Sequence, residues 1–267
     1  MSTFDLLQEQ YEKSLKRGMS NEEKQKKFFT TLLKPGTKTG EKLIRILPTK
    51  DGTSPFKEVY FHEAKVGDQW VKLWDPKNEG LYSPFNEVYE YMSKKGDKEA
   101  INYRAKKYYI VKVIDREHEQ EGPKFWRFKH NSKSKGVFDL IFTLYKEYGD
   151  LEDPEVGRDL KLYLGLTKSN NGKDYTVVTN IIAKDKSKLS DDPEQAKTWL
   201  EDPTIWDDVY AKRPVEYLKL VLEHKVPIFD KETSSWVEKI DNNDKNTEVS
   251  PEQDPQVDEP VDEDLPF

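Results

Sequence analysis

The sequence predicts a mainly β protein with added helices, an α+β chain in which a barrel-like core lies between a helical amino-terminal arm and a disordered acidic tail. Three observations carry that expectation. Between residues 42 and 182, seven short segments rich in branched and aromatic residues read as strands. Before them, after them and once among them, apolar spacing changes to three and four, the period of a helix. The last 27 residues, 241–267, hold ten carboxylates, four prolines and a single Lys245, and such a stretch buries too little apolar surface to offset its ordering entropy.

Charge divides the chain in the same way. All 267 residues together carry −7, yet 241–267 alone contributes −9, so residues 1–240 carry +2. A mildly basic body therefore bears an anionic arm. Cysteine is absent, which excludes disulfides, thiolate metal sites and cysteine nucleophiles. No apolar run reaches the ~20 residues of a membrane span, and no signal-peptide pattern opens the chain. A soluble protein with no membrane partner is expected.

The elements follow in order. Phe4, Leu7, Tyr11 and Leu15 are spaced as one face of a helix over 2–17, with Lys13, Lys16 and Arg17 towards its end and Gly18 as its stop. A second helical pattern starts at Ser20, carries Phe28, Phe29, Leu32 and Leu33, and ends at Pro35 and Gly36. These two helices make an arm over 1–37, either packed on the body or docked on a neighbouring copy. The core, 38–240, opens with strands at 42–47 (KLIRIL), 55–62 (PFKEVYFH) and 69–74 (QWVKLW). A short helix over 84–92 and a basic, partly helical stretch over 94–107 come next. Strands at 108–114 (YYIVKVI) and 124–130 (KFWRFKH) flank a charged loop, and a helix over 136–148 follows them. The segments 158–166 and 174–182 read as a hairpin around Asn171 and Gly172. Short helices close the core, the clearest over 214–223, and the tail occupies 241–267.

Between Lys94 and Lys135 there are thirteen Lys or Arg against six Asp or Glu, interleaved with Tyr103, Tyr108, Tyr109, Phe125, Trp126 and Phe128. Strands, a helix and two further strands are the order of the five-stranded oligonucleotide-binding (OB) barrel, although other α+β folds fit that order too. A single nucleic-acid strand offers phosphates to Lys and Arg and open base faces to aromatic rings. Each feature has a plainer reading: strand rings are usually core, basic runs are usually solvated surface, and His62, His118, His130 and His224 show no metal or catalytic spacing. No carboxylate pair sits in a recognisable motif, so a metal-dependent nuclease is the weaker alternative. A protein whose acidic arm mimics DNA is the other.

The stretches LIRILPTKDGTSPF (43–56), RAKKYYIVKVIDREHEQEGPKFWRF (104–128) and RDLKLYLGLTKSNNGKDY (158–175) resemble the single-stranded DNA-binding, helix-destabilising replication protein of T-even-like tailed phages. The resemblance spans about residues 38–182 and includes the plan of arm, OB core and acidic tail. It implies a protein without enzymatic activity or cofactor that coats single-stranded DNA in viral replication, recombination and repair, in the cytoplasm of the infected bacterial host. By that resemblance the DNA-binding residues are Arg104, Lys106, Lys107, Tyr108, Tyr109, Trp126, Arg127 and Tyr175, with Lys112 and Lys129 added from the same strands and Trp70 from the strand at 69–74. Lys13, Ser14, Lys16 and Arg17 are the equivalent of the family's self-association segment. The final DEDLPF is similar to the tip of bacterial single-stranded DNA-binding proteins, which implies that Asp262, Glu263, Asp264, Leu265, Pro266 and Phe267 recruit replication and recombination proteins. In one respect the chain departs from the family. Of the zinc ribbon's His and three Cys only His62 remains, so no metal is expected, and Trp70, Trp74, Tyr82 and Phe85 are candidates for an apolar plug in its place.

Overall fold

The computed structural model describes residues 21–131, 135–169 and 172–239. The expected helix over 2–17, Asn171 of the hairpin turn and the tail 241–267 lie outside the described residues. Within them the protein is mixed α+β, with one large, mainly antiparallel sheet and several helices.

Helix α1 (Asn21–Lys26) is short. The helical pattern predicted to continue through Leu33 instead becomes strand β1 (Phe28–Phe29), which runs parallel to β6 (Lys124–Lys129). Its backbone is claimed by tertiary pairing, since Phe125 N–H donates to the Lys27 carbonyl at 2.7 Å and Phe29 is buried edge-on against Trp126. Local period here yields to a partner nearly a hundred residues away. Leu33 packs against the same core, and its N–H donates to Thr176 Oγ1 at 3.2 Å.

The other predicted strands appear as β2 (Thr39–Ile46), β3 (Lys57–Val66), β4 (Gln69–Trp74), β5 (Lys106–Asp115), β7 (Arg158–Lys168) and β8 (Asp174–Lys186). Gly67, at φ 58, and Asp68 form the two-residue turn that pairs Val66 with Gln69. Gly172, at φ 80, returns the β7–β8 hairpin, where Lys168 pairs with Asp174. Helix α2 (Pro84–Lys94) starts with proline in its first turn, and α3 (Val137–Tyr148) lays Ile141 and Leu144 on the sheet. Past β8 come α4 (Pro193–Leu200), α5 (Trp206–Val209) and α6 (Val215–Leu222), then a small hairpin, β9 (Pro227–Asp230) with β10 (Ser235–Glu238), that sequence periodicity did not reveal.

The sheet runs β1-β6-β5-β2-β7-β8, and β3 pairs with both β5 and β4. The closed five-stranded barrel expected from the sequence is not formed: among the described residues no ladder joins β6 to β8. β1 takes the free edge of β6 instead, and the Leu33 contact reaches β8.

At the end of β2 the fully buried Arg45 is held by Asp159, by Ser187 Oγ and by the carbonyls of Asp153 and Ser187. Arg116 grips the same Asp159 and the Leu189 carbonyl. These two guanidinium groups fasten the 187–189 segment to the sheet and so direct the chain that follows it.

Candidate nucleic-acid interface

Alternation along a strand puts every second side chain on one face. Pairing register brings four such rows together: Trp70, Lys72 and Trp74 on β4; Lys65, Glu63, Phe61 and Val59 on β3; Lys106, Tyr108, Ile110 and Lys112 on β5; Lys129, Arg127 and Phe125 on β6. Rings and cations are interleaved on this face, and tertiary structure divides it into a covered half and an open half.

The covered half lies under α5 and Tyr210. Trp206, Val209 and Tyr210 pack with Val59, Phe61, Trp74, Tyr108, Ile110 and Phe125 in one buried cluster. Trp206 meets Phe125 edge-on at 5.7 Å and stacks on Tyr210 at 5.1 Å, and the Tyr210 hydroxyl donates to the Lys72 carbonyl at 2.7 Å. Asp202 ties down the start of this cover. Its carboxylate accepts from Lys112 Nζ at 3.1 Å and pairs with Lys27 at 3.5 Å. Burial pushes the Asp202 carboxyl up, and Lys112 and Lys27 outweigh it, so the group stays below the usual aspartate range.

The open half is built around Glu63, whose side chain is 2% exposed. It accepts from the Tyr108 hydroxyl at 2.5 Å and from Lys129 Nζ at 2.9 Å, and it pairs with Lys106. The two lysine side chains retain 25% and 28% of their exposure, against 2% for the carboxylate they pair with. Lys72 lies directly across from Glu63 on β4. The Arg127 guanidinium lies over the Phe61 ring at 5.0 Å and the Tyr108 ring at 5.8 Å, and Trp70 is 41% exposed at the end of the strip.

Of the residues singled out from the sequence, Trp70, Lys106, Arg127 and Lys129 thus share one surface. Others require correction. Trp126 is 2% exposed and belongs to the core with Phe29 and Phe128, so it offers no face to a base. Tyr108, also 2% exposed, supports Glu63 from below. Tyr109 lies on the opposite face, stacked on Phe138 at 4.1 Å, and Lys107 beside it pairs with Glu58 at 2.9 Å. Lys112 is held by Asp202. Trp126, Tyr108 and Tyr109 are buried because α3 covers one face of β5 and β6 and α5 covers part of the other, whereas Lys107 and Lys112 are partly exposed and ion-paired. Arg104 is exposed just before β5, and Tyr175 is half-buried in a separate groove of about 310 Å³ lined by Leu32, Leu33, Pro35 and Leu166. Lys13, Ser14, Lys16, Arg17 and the tip 262–267 lie outside the described residues. Sequence reasoning missed Lys72 and Glu63, although the alternation of QWVKLW already put Lys72 in phase with Trp70.

The apolar plug does not form. Trp74 and Phe85 are buried in different clusters, while Trp70 and Tyr82 are exposed. A buried polar network occupies the His62 position instead. His62 stacks on Phe85 at 4.8 Å and donates from Nδ1 to the Tyr103 carbonyl at 3.1 Å, and its Nε2 lies 3.5 Å from both Ser83 Oγ and Asp75 Oδ2. Asp75 also accepts from Asn86 at 2.7 Å and from the Lys77 N–H at 3.1 Å. Burial opposes ionisation of Asp75, yet His62, the Lys77 N–H and Asn86 hold its carboxyl down to about 2.

Asp115, Glu117 and His118 bring one potential ligand atom each within 4.8 Å of one another. Each is already engaged: His118 Nδ1 lies 3.0 Å from Asp115, Lys124 pairs with Asp115 at 3.5 Å and Lys42 with Glu117 at 2.6 Å. Two ammonium groups therefore already neutralise this cluster. Among the described residues no helix is long and apolar enough to cross a membrane. No known protein family matches the chain, and no curated protein matches it at a significant level.

Proposed function

We propose that this protein binds single-stranded DNA without sequence preference and coats it during viral DNA replication, recombination and repair in the infected bacterial host. The observation that carries this reading is the open strip, where Lys72, Lys106, Arg127 and Lys129 share a sheet face with the exposed ring of Trp70. Cations at strand spacing suit a phosphate backbone, and a ring beside them suits a base with no pairing partner. The pairings β6-β5-β2-β7-β8, with α3 between β6 and β7, fit an oligonucleotide-binding plan opened at its last ladder. On the same reading, Lys13, Ser14, Lys16 and Arg17 contact the neighbouring copy along the strand, and the tip from Asp262 to Phe267 recruits replication and recombination proteins. No catalytic step is assigned.

The experiment is a tryptophan-fluorescence titration with a thymidine homopolymer over a salt series. If the four cations each meet a phosphate, log affinity falls against log salt with a slope of about −3, and emission is quenched as a base stacks on Trp70. A flat salt response without quenching refutes the reading.

A further inference from the structure

Glu63 is the least expected member of the strip. A carboxylate on a surface meant for phosphates repels the ligand, and a nearly enclosed one also carries the cost of leaving water. Its surroundings are nevertheless built for it. Three donors from two strands converge on its oxygens, the Tyr108 hydroxyl below and the ammonium groups of Lys106 and Lys129 above. These lysines are on adjacent strands, Lys129 directly opposite Tyr108 and Lys106 two residues before it. Without an anion between them they would repel each other. Lys72 on β4 and Arg127 on β6 add further positive charge to the same face.

An ammonium group has three N–H donors. Glu63 accepts one donor from each of Lys106 and Lys129, and the two lysine side chains remain 25% and 28% exposed. We propose that Glu63 is the positioning residue of the interface: it fixes the ammonium groups of Lys106 and Lys129 side by side, so that their remaining donors meet the phosphates of a single strand. This rests on the single-stranded DNA reading above. Its role is to set geometry and the charge of Lys129, and it does not itself touch the ligand.

The charge state of Lys129 shows why an anion is needed. Burial pushes its ammonium below the usual lysine range, Glu63 pulls it back up, and the like charges of Lys106 and Lys72 push it down again. Burial likewise pushes the Glu63 carboxyl up, and Lys129, Lys106 and the Tyr108 hydroxyl more than reverse this. Glu63→Gln preserves shape and an acceptor for Tyr108 but removes the charge. Lys129 then becomes easier to deprotonate, and binding a phosphate above its lowered pKa requires uptake of a proton.

The test uses the full chain and a thymidine oligonucleotide, with affinity measured from pH 6.5 to pH 9. The wild type is expected to change little across that range, whereas Glu63→Gln loses about tenfold as pH rises. Adding Lys129→Arg to Glu63→Gln restores a flat profile, because a guanidinium does not deprotonate. A merely structural role for Glu63 would lower the melting temperature and leave the pH profile parallel to wild type, and that result overturns the proposal. If the wild type fails to bind the oligonucleotide at all, the functional reading falls first. Should Glu63→Gln not fold, NMR of the wild-type lysine ammonium groups decides. Signals of Lys106 and Lys129 protected from exchange and shifted by the oligonucleotide support the proposal, and unprotected or unshifted signals refute it.

Discussion

Lys112 and Lys129 begin from the same chemistry and end in opposite situations. Both are lysines on the same face of the β5–β6 pair, both lie beside aromatic residues, and both reach a carboxylate. Lys112 meets Asp202, which belongs to the cover, so its charge is spent on holding α5 and Tyr210 over the sheet. Lys129 meets Glu63, which belongs to the sheet itself, so its pairing holds down no cover. A carboxylate above a lysine closes a surface, and one beneath it organises a surface. The rings follow the same division: Phe125 is sealed by Trp206, burial worth about 3 kcal/mol for such a side chain, whereas Trp70 is left at the margin.

Substituting a ring of the core on the opposite face and the ring of the open strip gives the largest expected effects. Trp126→Ala should lower unfolding free energy by about 3–5 kcal/mol through the cavity it leaves, read from chemical denaturation, with no loss of affinity per folded molecule. A loss of affinity without a loss of stability would return Trp126 to the interface. Trp70→Ala should do the reverse, costing about 1–3 kcal/mol in oligonucleotide affinity with little change in stability. Equal effects of the two substitutions would erase the distinction between the core ring and the ring of the open strip.

Acid provides a third test, on the opposite face of β3. The Asp75 carboxyl is held at about 2 in the folded protein, below the ordinary aspartate range, so the unfolded chain binds the extra proton first as pH falls. Its contribution is therefore complete above about pH 4 and is lost towards pH 2, amounting to about 2 kcal/mol. Asp75→Asn should flatten that part of the stability profile. The smallest effect is expected at the cover: Asp202→Asn should cost about 1 kcal/mol of stability and raise hydrogen exchange over 203–210, while the open strip keeps its affinity. An affinity gain of tenfold or more would show instead that the cover competes with the ligand.

Much of the architecture was legible because it is local. Strand positions followed from branched and aromatic runs, the β7–β8 return from Gly172, and α2 and α3 from proline and apolar spacing. Alternation also put Trp70 in phase with Lys72, and Lys106 with Tyr108. The stretch from Phe28 to Leu33 was misread because its apolar spacing suits a helix, while the open edge of β6 offers its backbone a better partner.

The sequence by itself determined which residues share a face, since side chains alternate with a period of two whatever lies above them. Only the tertiary structure decided which face meets water. Trp206 and Tyr210, far along the chain, seal one half of the sheet, and the interior of β3 supplies a carboxylate to the other. Periodicity records the direction of a side chain, whereas burial depends on which distant segment returns to cover it.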